Sequence, residues 1–147
     1  MYIICNYMNI YLKAIHKLIR TGHWITDCVG AELKEFDITE PQYNVLRILS
    51  SSGDEAMTVK EIQDRMVQRS SNVSRIIDKL LAKGYVSRKE CQHNRRKMDI
   101  SMTDEGHSIL ALLDQKVSAF HKPLKQKLSD EELRALDKIL TKYSGLD

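Results

Sequence analysis

Cysteine is scarce and unpaired in this sequence. Its three cysteines, Cys5, Cys28 and Cys91, are an odd number at unrelated spacings, which argues against a disulfide framework. Long apolar runs are also missing, since no stretch approaches the roughly 20 residues a helix needs to span a bilayer. The apolar opening MYIICNYM is short. It has no basic segment before it and no small-residue cleavage site after it, so no secretory signal is read there. A cytoplasmic protein without membrane association is expected. Enzyme signatures are lacking too: no Gly-rich phosphate loop, no nucleophile elbow, no cysteine–histidine pair inside a supporting motif. Cys91-Gln92-His93 is too sparse for zinc. No catalytic residue, cofactor or metal is assigned. Internal repeats and low-complexity tracts are absent.

What is there is an ordinary composition with an uneven charge. The 147 residues are 42% hydrophobic and 29% charged, enough for one domain with its own core plus an oligomerisation element. The net charge is +3, but residues 1–59 carry −2 and residues 98–147 carry −2. Residues 60–97 hold eleven Lys and Arg against four Asp and Glu, a net +7. A basic block inside a slightly acidic chain is the footprint of a polyanion binder. A solvated charged face is the alternative.

Periodicity organises the rest. From Ile10 to Phe36, residues Ile15, Leu18, Ile19, Ile25, Cys28, Val29, Leu33 and Phe36 fall at helical spacing, with Gly22 and Gly30 as points where the helix could loosen. Thr39 with Gln42 forms a capping box, and Pro41 sits in the first turn of a second helix ending in Ser50–Gly53. Thr58 with Glu61 opens a helix of about two turns. After a break at Val67 and Gln68, a helix starting near Ser70 carries Val73, Ile76, Ile77, Leu80 and Leu81 on one face, and Gly84 ends it. A short helix, a tight turn and a longer helix form a helix-turn-helix pattern, which any helical hairpin also fits.

Beyond Gly84 lies a hairpin. Met98, Ile100 and Met102 alternate with Asp99 and Ser101, the period of a half-buried strand. The stretch HNRRK, residues 93–97, is read as its basic tip. Thr103 caps a helix expected to run to Pro123, and Ser129 with Glu132 starts the last one. The architecture is mainly α with a small β-hairpin wing: a winged helix-turn-helix flanked by helices at both ends. It is expected to divide into an N-terminal dimerisation helix (1–36), a winged helix-turn-helix unit (37–103) and C-terminal dimerisation helices (104–147). The terminal helices carry more apolar surface than such a unit can cover, which points to a homodimer.

Three segments, DITEPQYNVLRILSSSG, SSNVSRIIDKLLAKGYVSRKE and NRRKMDISMTDEG, resemble in order and spacing the signatures of the MarR family of winged helix-turn-helix transcriptional regulators. The resemblance covers roughly Tyr11 to Tyr143. Where the family has Asp-Arg-Arg, three residues, then Leu-x-Leu-Thr-x-x-Gly, this chain has Asn94, Arg95 and Arg96, then Ile100, Met102, Thr103 and Gly106. Asn94 departs from the family's Asp: it can hydrogen-bond the neighbouring Arg but not ion-pair with it.

The resemblance implies a dimeric, sequence-specific DNA-binding regulator, a repressor released by a small-molecule ligand. The helix near Ser70 would enter the major groove. Its polar face offers Arg69, Ser70, Ser71, Asn72, Ser74 and Arg75. Arg75 suits a bidentate contact to guanine, Asn72 suits adenine or phosphate, and the serines suit phosphate. Pairing of Arg75 with Asp78 on a solvated face is the competing assignment. On the wing, Arg95 and Arg96 would enter a narrow A·T-rich minor groove, with Asn94 beside them and His93 and Lys97 on phosphates. Two such heads would read double-stranded DNA carrying a pseudo-palindromic operator. A small anionic or aromatic effector is implied between the dimerisation helices and the winged unit. His16, Arg20, His23, Trp24, Asp27 and Cys28 are the candidate lining, although Trp24 and Cys28 equally fit dimer or core packing. His23 and Asp27 stand four residues apart, but two ligands do not make a metal site. A winged-helix module for protein contacts or nonspecific nucleic-acid binding is the alternative function.

Overall fold

Local capping chemistry marks most helix boundaries. The computed structural model describes the backbone of residues 2–53, 55–67, 72–91 and 94–145, with side chains for all of these except 2–8, 91 and 94–97. Helix α1 (Tyr2–Leu33) runs unbroken, so neither Gly22 nor Gly30 loosens it. Neither glycine has a positive φ, and the Thr26 hydroxyl donates back to the Gly22 carbonyl at 3.1 Å. A 3-10 turn, Lys34–Phe36, follows. Asp37 then takes φ 54°, a left-handed conformation that a short polar side chain tolerates. The Asp37 and Ile38 N–H groups donate to the Lys34 and Leu33 carbonyls, which satisfies the end of the helix.

Helix α2 (Glu40–Ser51) starts where the Thr39 N–H donates to Gln42 Oε1 at 3.0 Å. It buries Gln42, Tyr43, Val45, Leu46, Ile48 and Leu49. Helix α3 (Val59–Arg65) begins with a reciprocal box: Thr58 N–H donates to Glu61 Oε2 at 2.7 Å, and Glu61 N–H to Thr58 Oγ1 at 3.3 Å. Asn44 of α2 accepts the Val67 N–H through Oδ1 at 3.3 Å, anchoring the chain just after α3. Helix α4 (Val73–Ala82) has Asn72 as its N-cap; Ser70, near which the sequence places its start, lies outside the described residues. Gly84, at φ 75°, ends it: its N–H donates to the Leu81 carbonyl and the Tyr85 N–H to the Leu80 carbonyl, both at 3.0 Å. That left-handed turn suits glycine.

Among the described residues the sheet has three strands, not two. Strand β1 (Met57–Thr58) pairs antiparallel with β3 (Asn94–Met102), which also pairs antiparallel with β2 (Val86–Cys91), giving the order β1-β3-β2. A two-residue strand has no periodicity to read; β1 exists because Met57 and Thr58 meet Ile100 and Asp99. The β2–β3 register runs from Val86↔Met102 through Arg88↔Ile100 to Glu90↔Met98, shifts at Glu90/Cys91, and reaches Cys91↔Asn94.

Helix α5 (Asp104–Lys125) passes through Pro123 instead of stopping there. Proline's φ suits a helix, and this one sits in the last turn, where little ladder remains to disturb. Helix α6 (Asp130–Ser144) opens with the Ser129–Glu132 box, Ser129 N–H donating to Glu132 Oε2 at 2.8 Å. Among the described residues the core comes from every element except the 3-10 turn and α6: Leu33 of α1, Leu46 of α2, Ile62 of α3, Ile77 and Leu80 of α4, Ile100 of β3 and Leu113 of α5 are fully buried. Helix α6 buries nothing. No described helix is long and apolar enough to cross a membrane.

Four elements meet at Thr103. Its N–H donates to the Tyr85 carbonyl at 3.1 Å, its hydroxyl to the Gly84 carbonyl at 2.7 Å, and that hydroxyl accepts the Gly106 N–H at 3.0 Å. The end of α4, the start of β2, the end of β3 and the start of α5 are thereby tied together. Gly106 is needed for this. A Cβ there would press into the Tyr85 carbonyl oxygen and lie 2.7 Å from Met102 Cγ.

Candidate nucleic-acid interface

Helix α4 is sharply two-faced. Val73, Ile77 and Leu80 are buried and Ile76 partly so, while Asn72, Ser74, Arg75, Asp78 and Ala82 are exposed. The hundred-degree step per residue thus separates an apolar anchor from a polar surface, as the sequence pattern predicted. Arg69, Ser70 and Ser71 lie outside the described residues.

Asp78 does not pair with Arg75. It accepts from Arg88 of β2, Nη2 to Oδ1, at 2.8 Å. Arg75 has no ion-pair partner among the described residues. A separation of ten residues between a helix and a strand hides the Asp78–Arg88 pair from helical spacing rules. Arg75 also borders an open depression of about 310 Å³ with Thr39, Pro41, Gln42, Asn72, Ile76 and Lys79.

The basic cluster of the wing is placed differently from expectation. Asn94, Arg95, Arg96 and Lys97 belong to β3, Asn94 as the partner of Cys91 and the other three just inside that pair. The register shift between Glu90 and Cys91 leaves Arg95, Arg96 and Lys97 between the Cys91↔Asn94 and Glu90↔Met98 pairs, with no cross-strand partner in the ladder. Their side chains, and His93 altogether, lie outside the described residues.

A second ion pair braces α4 from its other end. Lys83, following α4, binds the Asp37 carboxylate at 2.5 Å and also the Asp37 carbonyl. The hydrogen bond and charge of Lys83 hold the Asp37 carboxyl below its ordinary range, with Lys79 adding to the effect. Burial raises the Glu40 carboxyl nearby.

On α1 the effector candidates divide. His16 and Arg20 line an open depression of about 430 Å³ with Leu12, Lys13 and Lys17; Arg20 and Trp24 line a second, of about 310 Å³, with Lys17 and Thr21. Lys13 and Lys17 join these residues at the same helical spacing, and the sequence reading did not single them out. His23, Asp27 and Cys28 line neither depression. Trp24 is half exposed and tilts against Phe120 of α5, with 6.1 Å between ring centroids.

A helix-turn-helix whose second helix is braced at both ends, followed by a β-wing with a basic sequence, defines a winged-helix protein. Residues 36–97 match the family model described as the MarR family. The HTH-type transcriptional regulator PapX of Escherichia coli is 27% identical over 132 residues, covering 87% of this chain and 80% of its own length. A crystal structure of a MarR transcription factor from Planctomyces limnophilus is 29% identical, with a TM-score of 0.69 over 88% of this chain and 93% of that one. The Staphylococcus aureus MepR–DNA complex shares the fold with a TM-score of 0.79 at 24% identity, covering 88% and 94% of the two chains. Over residues 36–97 the chain is thus similar to the MarR family, and the relatives it resembles along most of its length are transcriptional regulators.

Proposed function

We propose that this protein is a homodimeric repressor that reads a pseudo-palindromic DNA site and is released by a small anionic or aromatic ligand. The observation that carries the DNA-binding part is Arg75. It stands on the exposed face of α4 with no acidic partner among the described residues, while the acid one turn along is held by Arg88. A guanidinium left unpaired on a two-faced helix suits bidentate contact to guanine in the major groove. The basic start of β3 supplies cations for the adjacent groove, and MepR of Staphylococcus aureus, which shares this fold, has been solved in complex with DNA.

Dimerisation follows from α6. Leu136, Ile139 and Tyr143 are exposed on a helix that buries nothing in its own chain. Ile10, Tyr11, Leu12, Leu18 and Ile19 of α1 are exposed as well. Tyr11 and Tyr143 bring the two helices into contact, with 3.0 Å between their hydroxyl oxygens. A surface this apolar is best covered by a second copy. The effector would take the cationic stripe of α1, where His16, Arg20 and Trp24 offer charge and an aromatic face.

Selection of bound duplexes from a random pool tests the proposal. A recovered pseudo-palindrome with half-sites about one helical turn apart supports it. The selected duplex should then bind at least ~10³-fold more tightly than a scrambled one at the same salt. Equal affinity for both would mean nonspecific nucleic-acid binding, and no affinity for either would leave the winged helix to protein contacts.

A further inference from the structure

The Arg88–Asp78 pair occupies an informative place. Arg88 and Val86 share a face of β2 because they are two residues apart, and Val86 is buried. Arg88 stands opposite Ile100, which is fully buried. Arg88 therefore emerges from the inner face of the sheet at the margin of the core and reaches across to α4. Past it, the hairpin has only the Lys89↔Asp99 and Glu90↔Met98 pairs before the ladder shifts register at Glu90/Cys91. Such irregularities bend and twist the strand that carries them. The pair thus bridges the reading helix and the wing close to where the wing departs from the body.

We propose that Arg88 and Asp78 are positioning residues that hold the wing at a fixed angle to α4, so that the basic start of β3 meets the minor groove while Arg75 occupies the major groove. This rests on the DNA-binding function proposed above. Neither residue need touch a base. Asp78 is one turn from Arg75 on the same face, where a bare carboxylate would face the polyanion; Arg88 neutralises it and uses it as an anchor. Because the Asp78 side chain is more than half exposed, the pair adds little to folding stability. Its effect falls on the relative placement of two reading elements, where small displacements cost affinity.

The test exploits a sign difference. Asp78→Asn removes a negative charge from the DNA-facing surface, so simple Coulomb attraction predicts tighter binding. Loss of a clamp predicts weaker binding. The probe is the duplex that the wild-type protein selects from a random pool, together with a version whose flanking A·T pairs are replaced by G·C. Asp78→Asn and Arg88→Gln should each weaken binding about fivefold, and the double variant should bind no more weakly than Arg88→Gln alone. Discrimination between A·T and G·C flanks should shrink in all three, with thermal unfolding midpoints close to wild type. Wild-type or tighter binding by Asp78→Asn overturns the proposal, as do additive losses in the double variant, which would make Arg88 an independent phosphate contact. If the wild-type protein selects no duplex, the DNA-binding function itself fails, and this inference with it.

Discussion

The Tyr43 hydroxyl donates to Asp114 Oδ1 at 2.6 Å, joining α2 of the winged unit to the long α5 that leads towards α6. Tyr43 is buried, and the Arg47 guanidinium lies 5.9 Å from its ring centroid. Burial, then the hydrogen bond and charge of Asp114, push its phenol up to about 12. Tyr43→Phe should destabilise the protein by about 1 kcal/mol, since Asp114 is exposed enough to regain water. Denaturant unfolding measures this directly.

The same pair fixes a pH dependence. The folded-state Tyr43 pKa lies above its ordinary value of 10, so the unfolded chain loses this proton first. The stabilisation is intact below pH 10 and declines as pH rises from 10 through about 12. Comparing urea midpoints at pH 9 and pH 11 should show a smaller alkaline loss in Tyr43→Phe than in wild type. An identical loss in both would assign the alkaline titration elsewhere.

Gly106→Ala should cost about 1–3 kcal/mol, the range for overpacking a filled site. The obstruction is the Tyr85 backbone carbonyl, which cannot swing aside without disturbing the Thr103 hydrogen bonds. Gly22→Ala, placed in open space in α1, is the control and should be neutral or stabilising, because alanine is the better helix former. Thermal unfolding of the two variants separates steric loss from propensity.

How much of this was legible beforehand depends on distance along the chain. The Thr58–Glu61 and Ser129–Glu132 boxes and the turn at Gly84 are local chemistry, so three or four residues suffice to read them. The alternation around Ile100 revealed a strand, and the apolar rows of α4 revealed its anchor. Strand β1 was invisible because two residues carry no period. The Arg88–Asp78 and Tyr43–Asp114 pairs were invisible for another reason: each joins elements that only the tertiary fold brings together. Arg75 was recognisable on the exposed face of α4, whereas its freedom from Asp78 depended on a strand arginine that no helical spacing rule would link to it.

The proposed dimer predicts a specific failure. Ile139 is 63% exposed in the single chain, on a helix with no buried residue of its own. Ile139→Glu places a charge where a partner copy would cover the face, and an unpaired buried charge is strongly unfavourable. The variant should sediment as a monomer at concentrations where wild type is a dimer, while the winged unit keeps its circular dichroism. A dimer surviving this change would place the interface elsewhere.

Affinity for DNA should respond to Arg75 and Arg96 in different ways. Arg75 lies on the polar face of α4 near its N-terminal end, where a reading helix meets base edges. Arg75→Ala should cost about 1–3 kcal/mol on the selected duplex and relax preference at one base position. Arg96 lies at the tip end of β3, so Arg96→Ala should weaken binding most where the minor groove is narrow and A·T-rich. Binding isotherms on the selected duplex, on single-base variants of it and on a G·C-flanked version distinguish these effects. A uniform loss across all duplexes for Arg75→Ala would make that residue a phosphate contact, and wild-type affinity in both variants would remove α4 and the wing from the interface.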